Sequence, residues 1–352
     1  MTDQPLLQAD GLTRRFGAVT AVAEAGLGLQ RGEIVGLLGP NGAGKTTTLR
    51  MLTGDLAPTT GRIRIGGADL QGAPKAAKRQ VGFLPEEPPL IPELSVDAYL
   101  DYCARLRGLT SRSVQPARER VKAQCGLEAM GRRVLGNLSK GYRQRVGIAQ
   151  ALVHDPALVV LDEPTVALDP IQILEIRELI RGLAGERGVI LSTHLLPEVE
   201  AICTRVIIMV RGHMVLDEAL ATMRRRQPSA IRMRLGGCPT AEEVQALPGV
   251  ASAEPMASWD EAGPQWWRLA LAHPGVDLEP ILRAALDRGW GPQALVPEAP
   301  TLEQLFIDLV HGRGSEGVAV PASVVASEAP PKPEAAHPLA EQWPARRAGS
   351  NS

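Results

Sequence analysis

Short, mostly apolar runs alternate with amphipathic stretches over residues 5–217 of this 352-residue chain. Runs of four or five consecutive apolar residues are typical of strands buried on both faces of a parallel sheet. Apolar residues at helical spacing predict helices that pack against such a sheet. The pattern predicts an α/β fold, with strands at 5–10, 18–29, 34–38, 81–85, 158–162, 189–193 and 205–210 and helices at 96–106, 118–125, 142–152 and 173–183.

From residue 220 onward the pattern changes and suits a second, smaller unit. We read strands at 230–235, 250–255, 266–271 and 292–296, helices at 241–246 and 278–288, and a closing helix from Thr301. The order strand–helix–strand–strand–helix–strand is that of a ferredoxin-like α+β domain. Residues 315–352 are rich in Pro, Ala and Ser with little periodicity, which predicts disorder. We therefore expect domains at 5–220 and 221–312 and a disordered tail at 313–352.

Composition narrows the possible partners. A formal net charge of -1 argues against a nucleic-acid partner that is held by a strong basic field. The four cysteines are far apart in the sequence, which is typical of reduced thiols in a cytoplasmic protein. We find neither a signal-peptide pattern nor an apolar run of membrane-spanning length. If the protein works at a membrane, it must dock onto a separate chain.

A phosphate-binding loop is the strongest chemical signal. The pattern G-x-x-x-x-G-K-[ST] follows the apolar run 34–38 and precedes helix-compatible residues that begin at Thr47. Its backbone N–H groups and the helix N-terminus would attract phosphates, its lysine would reach the β- and γ-phosphates, and its threonine would bind Mg²⁺. An ordinary glycine-rich turn is the alternative, and the strand–loop–helix context counts against it. The motif is Gly39-Pro40-Asn41-Gly42-Ala43-Gly44-Lys45-Thr46.

Other candidate site residues follow strands or open helices. Asp162 and Glu163 end an apolar run, where Asp162 would hold Mg²⁺ through water and Glu163 would orient or deprotonate an attacking water. His194 follows the run 189–193 and can hydrogen-bond a γ-phosphate oxygen. Phe16, beside a turn, is either an adenine-stacking residue or a strand-end core residue. Ser139 and Gly141 open a helix whose N-terminus could bind an anion, which alone is a weak signal.

Taken together, these stretches resemble the ATP-binding subunit of an ABC transporter over roughly residues 5–217. The segment 138–142 lies where that family has its signature motif, Asp162 and Glu163 lie at the Walker B pair, 167–169 at the D-loop and His194 at the H-loop. The resemblance implies a P-loop ATPase fold with a mixed sheet core and a helical subdomain at about 87–155. It also implies a head-to-tail dimer, in which the signature residues of one subunit cap the ATP of the other. By the same resemblance, Phe16 stacks on adenine.

Two departures from the family pattern point to a subclass. Lys140 and Tyr142 replace a glycine and the glutamine of the signature, and Glu86 replaces the Q-loop glutamine, where it could ligate Mg²⁺. These variants resemble those of ABC-2 export subunits, such as the gliding-motility, copper-processing and drug-export ATPases of bacteria. In that class, the Pro-rich loop 85–92 and the helix after it would face the membrane permease.

The resemblance implies a Mg²⁺-dependent ATPase, homodimeric or heterodimeric, that drives a separate permease at the cytoplasmic face of the bacterial inner membrane. A soluble ABC ATPase of iron–sulfur assembly, repair or translation is the first alternative. The short span between Glu86 and Ser139 leaves no room for the coiled coil of repair proteins, and a single set of motifs disfavours translation factors. A non-hydrolysing ATP sensor is the second alternative, which Glu163 and His194 disfavour.

Overall fold

The computed structural model describes residues 4–224, 228–237, 239–256, 265–298 and 301–311. The strands in these ranges are β1 Leu7–Phe16, β2 Val19–Leu29, β3 Ile34–Leu38, β4 Thr60–Ile65, β5 Ala68–Asp69, β6 Val81–Leu84, β7 Leu158–Asp162, β8 Gly188–Thr193, β9 Arg205–Val210, β10 His213–Ala219, β11 Ala230–Leu235, β12 Val250–Pro255, β13 Gln265–Leu271 and β14 Pro292–Glu298. The helices are α1 Lys45–Leu52, α2 Pro74–Arg79, α3 Val96–Leu106, α4 Ser111–Cys125, α5 Lys140–Leu152, α6 Pro170–Leu183, α7 Leu196–Ile202, α8 Leu220–Arg224, α9 Ala241–Gln245, α10 Glu279–Asp287 and α11 Leu302–Val310.

A six-stranded sheet in the order β10-β9-β3-β8-β7-β6 forms the centre of the first part. Its strands are parallel except for β10, which pairs antiparallel with β9. A second, antiparallel sheet has the order β2-β1-β4-β5. This is the predicted mixed α/β core. Because β3, β7 and β8 run parallel, the segments that follow them meet at one edge of the sheet, where open α/β sheets bind ligands.

The position of β7 in the sheet explains its run of consecutive apolar residues. All five residues of β7 are buried. Val159 and Leu161 belong to the apolar cluster on one face of the sheet, whereas Leu158 and Val160 belong to the cluster on the other face. Successive side chains of a strand point to opposite faces, so a strand covered on both sides needs apolar residues at every position.

The helices α3, α4 and α5 pack together in the region expected to be helical, and one boundary differs from the prediction. Helix α4 begins at Ser111, whereas the sequence placed its start at 118. Pro116 lies inside α4 and cannot donate a helical hydrogen bond, which is why the pattern suggested a later start. Val114 and Val121 are buried in the apolar cluster, so tertiary packing keeps this proline-containing turn helical.

The second part has the predicted ferredoxin-like topology. Its antiparallel sheet has the order β12-β13-β11-β14, and residues of α9 and α10 cover one face. Helix α11 then packs on a different cluster, together with residues of β9, β10, α7 and α8. The predicted disordered tail at 313–352 lies outside the described residues.

The state of the cysteines and the length of the helices bear on two further expectations. Cys103, Cys125 and Cys203 are free thiols, and burial raises the pKa of both Cys125 and Cys203 to about 12. Among the helices of the described ranges, none has the length and apolar content needed to cross a bilayer.

Candidate nucleotide-binding site

The phosphate loop connects β3 to α1, as its motif predicts. Gly44 is the N-cap of α1 and has a φ of 101°. A Cβ atom at Gly44 would lie 2.7 Å from the carbonyl oxygen of Ala21, so glycine is required by both the backbone conformation and the space. The Thr48 side chain donates to the carbonyl oxygen of Gly44 over 2.9 Å. These contacts fix the start of the helix whose free N–H groups face the loop.

Lys45 is the cation of the site. Its ammonium donates to the carbonyl oxygens of Gly39 at 2.8 Å and Pro40 at 3.3 Å, and it lies 3.8 Å from Oε1 of Glu163. Burial lowers the pKa of Lys45, and the nearby carboxylates of Glu163, Asp162 and Glu86 act in the opposite direction. A partly desolvated ammonium attracts a phosphate group more strongly than one in bulk water.

The two acidic residues at the end of β7 are held by Ser192 of β8. The Ser192 hydroxyl donates to Oδ1 of Asp162, which is 1% exposed. The backbone N–H of Glu163 lies 3.0 Å from the same hydroxyl oxygen. Glu163 has a φ of 46°, an uncommon conformation for a residue with a side chain. Strained backbone of this kind is enriched at functional sites.

The Glu163 side chain also contacts His194. Nδ1 of His194 lies 2.9 Å from Oε2 of Glu163, and the His194 side chain is 44% exposed. The carboxylate of Glu163 therefore lies between a buried ammonium and an accessible imidazole. This arrangement places a base candidate, a cation and a hydrogen-bonding group next to one another, as transfer of a phosphoryl group to water requires.

Most of the predicted nucleotide-binding residues line one cavity of about 360 Å³. Ala21 and Val166 contribute to its wall and were not predicted. The predicted residues that line it are Asn41, Gly42, Ala43, Gly44, Lys45, Thr46, Thr47, Glu86, Glu163 and His194.

The three predicted metal ligands line a second, larger cavity. Thr46, Asp162 and Glu86 are all part of the wall of a cavity of about 610 Å³. Thr46 and Glu86 line both cavities. Within the described residues, no group of three or more His, Cys, Asp or Glu side chains could hold a metal ion by itself. A hydroxyl and two carboxylates are oxygen donors, so they suit a hard cation that takes its other ligands from phosphates and water.

The 360 Å³ cavity is not lined, within one chain, by five of the predicted nucleotide-binding residues or by the predicted metal ligand Asp162. The five are Phe16, Gly39, Pro40, Ser139 and Gly141. Phe16 is 47% exposed at the end of β1, and the Arg14 guanidinium lies 4.6 Å from its ring centroid. Ser139 is exposed and accepts a hydrogen bond from the Tyr142 N–H at the start of α5. Gly141 is buried, because the Gln172 side chain lies so close that a Cβ atom would meet its Oε1 at 2.6 Å.

Two supporting residues, Ser192 and Gln144, are not predicted as site residues from the sequence. The sequence predicts Ser192 only as part of a strand, and the hydroxyl near the end of that apolar run is the signal that it offers. Gln144 of α5 is 4% exposed, and its side-chain amide donates to the carbonyl oxygen of Pro164 over 2.8 Å. That bond connects the signature helix to the residue after Glu163. Its two ends come together only through the fold, so the sequence carried no signal for it.

Comparisons with known proteins identify the family of this chain. Residues 22–166 match the family described as ABC transporter. The chain is 31% identical over 309 residues to the uncharacterized ABC transporter ATP-binding protein YxlF of Bacillus subtilis (strain 168), covering 87% of this chain and 100% of that protein. It is 35% identical to the bacitracin transport ATP-binding protein BcrA of Bacillus licheniformis, covering 65% of this chain and 75% of the relative.

A solved structure described as the ATP-binding subunit of an ABC transporter is 31% identical, with a TM-score of 0.57. It covers 62% of this chain, and the match includes 92% of the solved chain. The fold of the first part agrees with these matches. The chain therefore belongs to the family of ABC transporter ATP-binding subunits, which are ATPases.

Proposed function

We propose that this protein powers export through a permease of the ABC-2 type that is formed by separate chains. The position of Glu163 between Lys45 and His194 carries the ATPase part of the proposal. Similarity to a bacitracin transport protein supports export. The variants Glu86, Lys140 and Tyr142 support the same subclass.

The roles proposed for the site residues follow from their contacts. Lys45 exchanges its carbonyl partners for the β- and γ-phosphates of ATP, which the backbone N–H groups of 41–47 also bind. Glu163 orients or deprotonates the attacking water, and His194 hydrogen-bonds a γ-phosphate oxygen. Phe16 offers the ring face opposite Arg14 to adenine, since its ring is half exposed.

Mg²⁺ is the cation that best suits Thr46, Asp162 and Glu86. Thr46 would bind it directly, and the buried Asp162 would bind it through water. When bound, the ion would neutralise charge that develops on the phosphates. Glu86 is exposed, so its carboxylate is the most dispensable of the three donors.

One solved cassette with the same fold is described as a dimer, and another is described as part of an ABC transporter complex. We propose a head-to-tail dimer in which Ser139 and Gly141 of the partner subunit complete each ATP site. The exposure of Ser139 supports this arrangement. For Gly141 to reach a nucleotide, the flexible Gln172 side chain has to rotate away, which costs little because it is a long side chain at the surface.

The 610 Å³ cavity supports a position for the permease. Its wall includes Pro85, Glu87 and Pro89 of the Pro-rich loop, next to Glu86 at the ATP site. A permease segment bound in this cavity would therefore respond to conformational changes at the nucleotide site. Such docking would place the protein at the cytoplasmic face of the inner membrane.

We also propose that the chain divides into an ATP-binding domain at 5–220, with a helical subdomain at about 87–155, and an accessory domain at 221–312. The separate apolar cluster of β11–β14, α9 and α10 supports an accessory unit, and α8 and α11 attach this unit to the ATP-binding domain. The tail at 313–352 would form a third segment.

Size-exclusion chromatography and phosphate release test the proposed mechanism. The full chain with Mg²⁺ and ATP is expected to hydrolyse ATP, and Glu163→Gln is expected to bind ATP and elute as a dimer. A monomer under saturating ATP, together with normal turnover, would refute the dimer mechanism. Co-purification from detergent-solubilised membranes then tests the export role, since the bound permease identifies the transporter class.

A further inference from the structure

Glu198 of α7 is a carboxylate buried beside the site, and the site residues described so far do not explain it. It is 1% exposed. In the described part of the chain, no lysine, arginine or histidine forms an ion pair with it, and its partners are two hydroxyl groups. Burying a carboxylate costs free energy, so hydrogen bonds must offset that cost.

The two hydroxyl groups come from the segments that carry the candidate catalytic residues. Oε1 of Glu198 accepts from the Thr165 hydroxyl, two residues after Glu163. Oε2 accepts from the Thr193 hydroxyl over 2.7 Å, and Thr193 immediately precedes His194. Each carboxylate oxygen thus holds one of the two segments. Glutamate matches this pair of donors, because an ionised carboxylate accepts at both oxygens.

The hydrogen bonds continue into the turn that holds His194. The Thr193 hydroxyl oxygen also accepts from the N–H of Leu195 over 3.0 Å. The orientation of this hydroxyl is therefore set on one side by the backbone and on the other by Glu198. On the opposite segment, Glu163 has a left-handed backbone conformation that surrounding contacts must maintain.

We propose that Glu198 is a positioning residue that connects the segment after Glu163 to the segment before His194. In this way it maintains the 2.9 Å contact between the side chains of Glu163 and His194. The inference rests on the roles proposed above for Glu163 and His194. Glu198 does not touch the nucleotide site; it acts by limiting how far the base and the imidazole can separate. Small displacements of reacting groups lower rates strongly, because the attacking water must be aligned with the γ-phosphate.

The first test is Glu198→Gln in the full chain, which keeps the shape of the side chain. Its amide NH₂ would face a hydroxyl that now donates, so that hydroxyl must turn to accept instead, and both hydrogen bonds lose their charged partner. We expect kcat for ATP to fall roughly 10-fold to 100-fold. We expect the Kd for a non-hydrolysable ATP analogue to stay within about twofold, because the phosphate loop is untouched. The control is Glu200→Gln, the same change at an exposed position of the same helix, for which kcat should be unchanged.

The second test uses the hydroxyl partners and does not depend on whether Glu198→Gln folds. Thr165→Val removes the hydroxyl with little change in shape and should lower kcat as Glu198→Gln does. Thr165→Ser keeps the hydroxyl and should restore most of the turnover. The pair Thr193→Val and Thr193→Ser should behave in the same way. If the hydroxyl groups had a purely structural role, kcat would not depend on their presence while the affinity for the ATP analogue stayed constant.

Two results would overturn the inference: normal kcat in both Glu198→Gln and Thr165→Val, or a loss of analogue binding that matches the loss of kcat. Failure of the proposed function gives a different result. In that case Glu163→Gln would retain turnover, whatever the Glu198 variants do.

Discussion

Nδ1 of His194 lies 2.9 Å from the carboxylate of Glu163, although 31 positions separate the two residues in the chain. The contact follows from the sheet. β7 and β8 are parallel neighbours in which Asp162 pairs with Ser192, so the residues just beyond each strand face each other. The backbone register of the two strands thereby brings a base candidate and an imidazole close together. The predictions below test what this arrangement and its surroundings do.

Glu163→Gln should lower kcat for ATP by about 10³-fold, because the amide cannot accept the proton of the attacking water. Nucleotide affinity should be preserved, since glutamine is similar in shape and Lys45 remains. Phosphate release and size-exclusion chromatography with ATP measure the two effects. Glu178→Gln, an exposed change on α6, is the control and should behave as wild type. Undiminished phosphate release by Glu163→Gln would exclude it as the base.

Glu86→Gln should raise the affinity for Mg²⁺-free ATP by about threefold to fivefold, because it removes an exposed negative charge near the phosphates. The affinity for Mg²⁺·ATP should change little, since Thr46 and Asp162 remain to hold the ion. Calorimetric titration of the protein with ATP, once in EDTA and once in Mg²⁺, measures the affinities for Mg²⁺-free ATP and for Mg²⁺·ATP separately. Glu87→Gln removes the neighbouring exposed charge, which lines only the larger cavity, and should affect both forms less. A marked loss of Mg²⁺·ATP affinity in Glu86→Gln would instead show that this carboxylate is a required ligand.

Gly141→Ala should weaken ATP-driven dimerisation by roughly tenfold or more, because the new methyl group would meet the γ-phosphate held by the partner subunit. The monomer should bind ATP normally. The methyl group would also meet Gln172, so the double variant Gly141→Ala/Gln172→Ala separates the two clashes. Sedimentation with ATP in the Glu163→Gln background measures the dimer. Recovery of dimerisation in the double variant would assign the defect to Gln172 and not to the partner's nucleotide.

His154 should make stability depend on pH between about 6.5 and 4. Burial, and secondly the charge of Arg107, lower the pKa of His154 from its usual 6.5 to about 4. Nε2–H donates to the carbonyl oxygen of Val81 over 3.0 Å. The folded state keeps this histidine neutral, while the unfolded state binds a proton below pH 6.5. Its contribution to stability is therefore complete above pH 6.5 and is lost as the pH falls towards 4.

The matched variant is His154→Gln, which can still donate to Val81 but does not titrate. Between pH 7.5 and pH 5, wild type should lose about 2 kcal/mol more unfolding free energy than His154→Gln, at 1.4 kcal/mol per pH unit. Chemical denaturation at the two pH values measures the difference. Parallel pH profiles for the two proteins would show that His154 does not titrate as described.

Leu309→Ala in α11 should lower the unfolding free energy by roughly 2–5 kcal/mol, the usual cost of a cavity in a packed core. Leu309 is fully buried in a cluster that includes residues of the central sheet. Ile307→Ala on the same helix is the control, because Ile307 is 39% exposed and should cost less than about 1 kcal/mol. Equal effects of the two changes would contradict the packing of α11 described above.

Patterns that depend on nearest neighbours in the sequence were predictable. Residues 158–161 of β7 are all apolar because both faces of the strand are covered, and this run predicts a central strand directly. The phosphate loop was also predictable, since its function needs its residues in consecutive positions. The order of elements after residue 220 matched one known topology, and the sheet has that strand order.

Contacts between distant segments were not predictable. Gln172 covers Gly141, and Glu198 joins Thr165 to Thr193, only because the fold brings α5, α6 and α7 together. A buried glutamate and an exposed one look alike in sequence, as Glu198 and Glu200 show. The early start of α4 was missed for a related reason, because packing outweighs the local effect of Pro116.

The return of α11 to the central sheet has a practical consequence. The chain leaves the ATPase through α8, builds the ferredoxin-like unit and comes back, so both connections of that unit are attached to one apolar cluster. A shortened protein that stopped at residue 219 would therefore lose the ferredoxin-like unit and also α8 and α11, which complete an apolar cluster of the ATPase. The apolar surface that the leucines of α11 normally cover would be exposed in the shortened protein and would favour aggregation. In the full protein, a motion of the accessory unit would be transmitted to the ATPase through both α8 and α11.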